Sequence, residues 1–164
     1  MKNLIKDWKR KKANNSKAHR KFLWKLSQHK GKRLDQFADE IHEEVFSHIS
    51  CLDCANCCSS IPPIVNKTDA ARIARHLGMK LADFEATYLR EDEDKDRVIN
   101  RSPCPFLMDD HVCLIYEVRP KACREYPHTN NLEFSQNFRL HAVNATYCPA
   151  VFHILEALKS RVPL

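Results

Sequence analysis

Apolar residues recur at steps of three or four in the first third of the chain, which is the spacing of one face of an α-helix. Between positions 33 and 49 this stripe consists of Leu34, Phe37, Ala38, Ile41, Val45 and Ile49. Another helix is predicted over residues 2–29, loosened at residues 13–16 and broken at Gly31. We therefore predict two successive helices ahead of the first cysteine.

The remainder of the chain predicts shorter elements with many connections. Short helical segments are predicted over residues 69–77, 80–89, 113–118 and 121–126, and short strands at 98–99 and 106–107. Thr68 is the predicted N-cap of the first of these helices. Residues 135–144 leave helix and strand open, and Pro149 begins a last helix. The predicted fold class is mainly α, with small irregular or extended segments.

Basic residues are concentrated at one end of the chain. Residues 1–33 carry thirteen Lys or Arg and the single acid Asp7, a balance of +12, whereas the rest carries fourteen basic and twenty acidic residues, a balance of −6. The net charge of +6 is therefore the sum of two unlike regions: a basic helical arm, residues 1–33, and a mildly acidic domain, residues 34–164.

Such an arm is typical of proteins with an acidic partner: RNA, DNA or an anionic membrane surface. A solvated helix that keeps the protein soluble is the alternative. For RNA, or a ribosomal particle, the predicted contact set combines phosphate attraction with base stacking. It comprises Trp8, Lys9, Arg10, Lys11, Lys12, Phe22 and Trp24.

Several protein classes are excluded by composition. The only glycines are Gly31 and Gly78, and a phosphate-cradling loop or dinucleotide fingerprint needs several glycines within a few residues. A kinase, P-loop NTPase or Rossmann dehydrogenase is therefore not expected. No apolar stretch is long enough for an export signal or a membrane span, so we expect a cytoplasmic protein.

Cysteines carry the strongest chemical signal. Four of the eight form Cys51-x-x-Cys54-x-x-Cys57-Cys58, and the remote ones are Cys104, Cys113, Cys123 and Cys148. Thiolates three residues apart can point at one centre, as zinc and iron–sulfur clusters require. Disulfides are the alternative, but a reducing cytosol disfavours them.

The residues leave the metal open. Eight thiolates can close two tetrahedral zinc sites, and the adjacent Cys57 and Cys58 suit two neighbouring sites better than one. A [4Fe–4S] cluster is the other interpretation, because ferredoxin-type clusters combine C-x₂-C-x₂-C with a remote Cys-Pro pair. Cys148-Pro149 and Cys104-Pro105 are both such pairs.

Charged residues lie close to the remote cysteines in sequence. His111 and His128 are candidate imidazole ligands, although a surface position near a turn is the commoner role. Arg119 and Arg124 are predicted to flank the thiolates and favour them over thiols, with an ordinary ion pair as the alternative.

The order of the cysteine-containing blocks resembles the YkgJ-type cysteine-cluster family, a zinc- or iron-chelating domain with a CxxCxxCC motif. The blocks are residues 51–58, 103–107, 113–120 and 123–127, and the resemblance covers about residues 50–150. It implies that all eight cysteines are metal ligands. It also implies that Tyr116, Arg119, Pro120 and Tyr126 frame the site. Flagellin lysine methylases share a similar pattern, but this chain is much shorter and has no recognisable cofactor-binding segment.

The expected function is a metal-binding protein with zinc or iron and a basic arm for an acidic partner. The alternative is an iron–sulfur redox protein, or an accessory subunit of a protein-modifying enzyme. No combination of nucleophile, base and orienting group is evident, so the expectation leans away from an enzyme.

Overall fold

The computed structural model describes residues 2–29, 31–130 and 134–163, and these are mainly α-helical. This confirms the predicted fold class. The chain divides into two compact units: unit 1 comprises Met1–Cys54 and Pro127–Leu164, and unit 2 comprises Ala55–Tyr126. None of the described helices combines the length and the apolar character that crossing a membrane requires.

In the described part of unit 1, four α-helices surround one apolar core. They are α1 (Lys2–Leu26), α2 (Lys32–Phe46), α7 (Phe138–Tyr147) and α8 (Pro149–Arg161). Helix α1 contacts both α7 and α8, and α2 contacts α8. The core is filled by Trp8, Leu23, Leu26, Ile41, Phe134, Phe152, Ile154, Leu155 and Leu158, among others. The predicted helices at residues 33–49 and after Pro149 are confirmed as α2 and α8.

Helix α1 runs without interruption, so the loosening predicted at residues 13–16 is wrong. Asn and Ser cost a helix at most about 0.7 kcal/mol per residue relative to alanine. Burial of a large apolar side chain contributes about 1.5–3 kcal/mol, and α1 buries Trp8 before this segment and Leu23 after it. Tertiary packing on both sides therefore keeps the middle of the helix intact.

Two side-chain hydrogen bonds also join α1 to the other helices of unit 1. The indole N–H of Trp8 donates a hydrogen bond to the Ala145 carbonyl on α7 at 3.0 Å, and His19 hydrogen-bonds Glu156 on α8 at 2.6 Å. The division into an arm (1–33) and a domain (34–164) stays a prediction beside these two compact units.

The segment predicted ambiguously at residues 135–144 contains most of helix α7. Its buried residues include His141 and Ala145, which lie four positions apart on one helical face. Phe138, Leu140 and Ala142 alternate with other residues as in a strand, but Leu140 is 38% exposed. The alternating apolar residues therefore do not coincide with the buried positions of the helix.

Unit 2 combines short helices with one hairpin. Its helices are α3 (Asn56–Ser60), α4 (Lys67–His76), α5 (Leu81–Tyr88) and α6 (Lys121–Glu125), and a 3₁₀ turn spans Tyr116–Val118. Strands β1 (Leu89–Glu91) and β2 (Arg97–Ile99) pair antiparallel, with Arg90 opposite Val98. The core consists of Val65, Ala70, Ile73, Ala74, Phe84, Ile99, Phe106 and Ile115.

Local predictions in unit 2 were partly right. The strand at 98–99 is confirmed by β2, whereas Leu107 forms only a single bridge to Cys113. The N-cap of α4 is Asn66, whose side-chain oxygen accepts the Asp69 N–H at 2.8 Å. Thr68 was therefore the wrong cap, because an equally suitable capping residue lies two positions earlier.

Candidate metal centres

Backbone hydrogen bonds bring the cysteines of unit 2 towards one another. The Cys104 N–H donates to the Cys58 carbonyl at 2.9 Å, which joins the loop at residue 104 to helix α3. The Leu107–Cys113 bridge folds that loop back on itself. Cys123 lies in the first turn of α6, where its N–H donates to the Pro120 carbonyl at 3.0 Å.

The thiols of these residues influence one another electrostatically. Burial raises the pKa of Cys104 and of Cys113, and the charge of Cys58 raises both further. Burial is also the main cause that raises the pKa of Cys123 to about 12, followed by the charges of Cys58, Cys104 and Cys113. We call Cys58, Cys104, Cys113 and Cys123 the unit 2 cysteine group.

Within this group, Cys58 is the thiol that ionises first. Its pKa is lowered to about 7, chiefly by the hydrogen bond with the thiol of Cys57, whose sulfur is 4.0 Å away. A backbone hydrogen bond and the charges of Arg119 and His111 lower the pKa further, against the opposing effect of burial. An anionic thiolate is the ligand form that metals bind.

Unit 1 holds a second group of three cysteines. Cys51 begins a 3₁₀ turn, Cys51–Asp53, and Cys54 follows that turn, donating its N–H to the Cys51 carbonyl at 3.1 Å. Cys148 immediately precedes α8. Burial raises the pKa of Cys148 to about 12, and the charges of Cys51 and Cys54 contribute to the rise. We call these residues the unit 1 cysteine group.

The first residues of α8 also face the Cys148 sulfur. The N–H groups of Ala150 and Val151 form hydrogen bonds with it, which favour the thiolate. A helix N-terminus carries partial positive charge and stabilises anions there. Pro149 contributes no N–H at this position and therefore leaves none unsatisfied.

All eight cysteines lie in the described part of the chain, and none of them forms a disulfide. The disulfide alternative is therefore wrong for this structure. In the described ranges, no set of three or more His, Cys, Asp or Glu side chains is already arranged around a point that would hold a metal ion. The donors nevertheless fit zinc or iron in chemistry, since both groups consist of thiols alone.

The two candidate histidines differ in their surroundings. His111 lies in a turn with a φ of 67°, and its charge acts on Cys58 in the unit 2 group. His128 belongs to unit 1, where its charge acts on the buried His141. These interactions associate His111 with the unit 2 cysteine group and His128 with His141.

The two candidate arginines also differ. The guanidinium of Arg119 lies over the Tyr116 ring, 3.8 Å from the ring centroid, and its charge lowers the pKa of Cys58, Cys113 and Cys123. Arg124 donates to the Arg119 carbonyl at 2.7 Å instead. Arg119 therefore provides the positive charge that the sequence predicted beside the thiolates.

A buried carboxylate near the unit 2 group was not predicted from the sequence. Asp69 on α4 is 2% exposed and accepts hydrogen bonds from Arg72 at 2.6 Å and from the Lys121 N–H at 3.0 Å. It thereby connects α4 to the start of α6, which carries Cys123. The spacing of Asp69 and Arg72 within one helical turn was the only signal in the sequence.

The predicted RNA-contact set on α1 needs a correction. Trp8 is 0% exposed and Phe22 is also buried, so neither ring is available for stacking on a base. Trp24 is 68% exposed. Exposed basic residues lie on the same side of the helix as Trp24: Lys6, Arg10, Lys17, Arg20 and Lys21. We call this set, with Trp24, the basic face of α1.

Comparison with known protein families identifies the chain's family. Residues 50–149 match the family model CxxCxxCC, described as "Putative zinc- or iron-chelating domain". The matched region covers more than half of the chain and contains every cysteine. Comparisons with curated proteins and with solved structures found no match.

Proposed function

Because the chain belongs to the CxxCxxCC family, we propose that it is a metal-binding protein whose eight cysteines are ligands for zinc or iron. Four of them form the unit 2 group and three the unit 1 group, and Cys57 is a further ligand candidate next to Cys58. The observation that carries this proposal is the separation of the cysteines into two groups of thiols, one in each compact unit. Each group joins a part of the CxxCxxCC motif to remote cysteines of the same unit.

The unit 2 group supplies four thiols, which is the number of ligands in a closed tetrahedral zinc site and in a [4Fe–4S] cluster. Cys57 is the fifth thiol of this unit and hydrogen-bonds Cys58. The ligands come from α3, the loop of residues 104–113 and α6. A metal here would cross-link elements that otherwise have only a small apolar core between them.

The unit 1 group supplies three thiols, two from the 3₁₀ turn Cys51–Asp53 and the residue after it, and one from the residue that precedes α8. The helix N–H groups that bond to Cys148 favour its thiolate form. A metal in this group would fix the end of the segment that follows α2 to the helix that fills the core of unit 1.

Anaerobic purification of the full chain, followed by elemental analysis and a visible spectrum, tests the proposal. Colourless protein with stoichiometric zinc identifies a zinc protein, whereas brown protein whose visible absorption is lost on reduction identifies an iron–sulfur protein. Protein that retains neither metal in stoichiometric amount would contradict the proposal.

Serine variants test the assignment of cysteines to groups. We expect Cys123→Ser and Cys148→Ser each to lose only part of the bound metal, because they belong to different groups. Ala122→Ser, which adds a hydroxyl beside Cys123 and keeps every thiol, is the matched control and is expected to retain all of it. Complete loss of metal in both cysteine variants would show that the thiols do not act as two groups.

We also propose that the basic face of α1 contacts an acidic partner such as RNA. Helix α1 buries one side in unit 1, so its opposite side presents several cations and one exposed aromatic ring. Cations that neutralise phosphates, together with an aromatic ring that stacks on bases, are the elements of sequence-tolerant binding to single strands. Asp7 pairs with Arg10 and Lys11, so the later cations of this face are expected to contribute most.

Titration of the full chain with single-stranded RNA over a range of salt concentrations tests this interface. We expect Lys17→Ala/Lys21→Ala to lower the slope of log affinity against log salt by about 1 per lysine removed. Lys67→Ala/Lys80→Ala removes the same charge from exposed positions of unit 2 and is expected to leave the slope nearly unchanged. Equal slopes for the two double variants would contradict the assignment to α1.

A further inference from the structure

Arg119 occupies an unusual position between the last two ligands of the unit 2 group. It follows the 3₁₀ turn Tyr116–Val118 and lies six residues after Cys113 and four before Cys123. Its backbone is held by its carbonyl, which accepts hydrogen bonds from Arg72 at 3.0 Å and from Arg124 at 2.7 Å. These hydrogen bonds therefore fix the backbone from which the Arg119 side chain extends.

The side chain is held as well. The guanidinium carbon lies 3.8 Å from the centroid of the Tyr116 ring, an arrangement that stabilises the cation and fixes the plane of its N–H groups. Within the described residues, the Nε of Arg119 is buried and has no hydrogen-bond partner. A buried donor left unsatisfied costs about 1–3 kcal/mol, and more when it is charged. The unpaired Nε–H of Arg119 therefore points to an acceptor that is present when a ligand is bound.

The neighbouring arginines do not share this feature. Arg72 is engaged by the Asp69 carboxylate at 2.6 Å, and Arg124 donates to the Arg119 carbonyl and lies 4.0 Å from Asp69. The Asp69 carboxylate thus interacts with two of these three arginines. The segment that carries Arg119 is instead tied to two cysteines of the unit 2 group: the Tyr116 N–H donates to the Cys113 carbonyl at 3.1 Å, and the Cys123 N–H donates to the Pro120 carbonyl at 3.0 Å.

We propose that Arg119, stacked on Tyr116, is the positioning residue of the unit 2 metal centre, where its Nε–H donates a hydrogen bond to a metal-bound thiolate. This inference rests on the proposed metal-binding function. Four thiolates around a divalent ion carry a net negative charge, which a fixed guanidinium partly balances. Partners of this kind orient ligands, and their loss typically costs 10–100-fold in metal affinity.

Cobalt titration of the full chain, after metal removal under reducing conditions, tests the inference through the thiolate-to-cobalt charge-transfer band. Arg119→Met is expected to weaken cobalt binding at one centre by 10–100-fold and to shift the band, because a hydrogen bond to sulfur changes its electron density. Arg119→Lys retains the charge without the planar stack and is expected to fall between Met and wild type. Arg75→Met, which removes an exposed cation from α4, is the matched control and is expected to behave as wild type.

Tyr116 provides a second test in which Arg119 is unchanged. Tyr116→Phe keeps the ring and is expected to bind cobalt as wild type does, whereas Tyr116→Ala is expected to reproduce part of the loss seen with Arg119→Met. These two variants keep the test decisive if Arg119→Met fails to fold, which circular dichroism would detect. Equal affinity and an unshifted band in Arg119→Met, or no difference between Tyr116→Phe and Tyr116→Ala, would overturn the role of Arg119. Wild-type protein that binds no cobalt, zinc or iron would instead overturn the proposed function itself.

Discussion

The two tryptophans of α1 are expected to differ sharply in their contribution to stability. Trp8 is 0% exposed and its N–H donates to the Ala145 carbonyl at 3.0 Å, whereas Trp24 is 68% exposed. Truncation of a buried Trp to Ala costs about 3–5 kcal/mol, and the carbonyl that loses its donor adds about 1–3 kcal/mol if water does not replace it. We therefore expect Trp8→Ala to lower the free energy of unfolding by about 4–8 kcal/mol, which approaches the whole stability of many domains.

Chemical denaturation followed by circular dichroism measures this loss. Trp24→Ala is a matched control on the same helix, and as an exposed substitution it is expected to change the free energy of unfolding by less than about 0.5 kcal/mol. Trp8→Phe keeps an apolar ring and removes the N–H donor, so its expected cost is about 1–3 kcal/mol. Similar losses for Trp8→Ala and Trp24→Ala would refute the packing of α1 into unit 1.

A practical consequence concerns any truncation of the basic helix. Deletion of residues 1–30 would remove Trp8, Leu23 and Leu26 from the core of unit 1. If the deletion variant did not bind RNA, the cause could therefore be unfolding of unit 1 as well as the loss of the contact between α1 and RNA. Point variants on the exposed face separate the two effects.

Other predictions follow from the buried polar groups. Asp69→Asn is expected to lower the free energy of unfolding by about 2–3 kcal/mol, because Arg72 loses its charged partner. Asp83→Asn, an exposed substitution on α5, is the control. Equal losses of unfolding free energy for the two variants in chemical denaturation would contradict a role for Asp69. Burial lowers the pKa of His141 to about 4, below its ordinary value of 6.5, so the folded state binds fewer protons than the unfolded state between these two pH values. The stabilisation that the neutral His141 contributes to the free energy of unfolding is therefore fully present above pH 6.5. It is lost as the pH falls towards 4, and the total loss is about 3 kcal/mol. A His141→Gln variant is expected to show a flatter dependence of unfolding free energy on pH in this window, and an unchanged dependence would refute the assignment.

Local patterns were sufficient for much of the secondary structure. The stripe from Leu34 to Ile49 predicted α2 because one side of that helix is buried against the core, and Pro149 marked the start of α8. The same approach left α7 open, since its buried positions, such as His141 and Asn144, are polar. A pattern of apolar residues cannot report burial that hydrogen bonds make tolerable.

The sequence by itself determined that this is a mainly helical chain of the CxxCxxCC family with an all-thiol set of candidate ligands, because residue type, helical spacing and motif order are local properties. Tertiary structure alone decided which of Trp8 and Trp24 is buried. It also decided that Cys51, Cys54 and Cys148 belong to one compact unit, and Cys58, Cys104, Cys113 and Cys123 to the other. These outcomes depend on contacts between residues far apart in the chain. The free energy of such contacts is set by the packing of whole helices, which no short stretch of sequence contains.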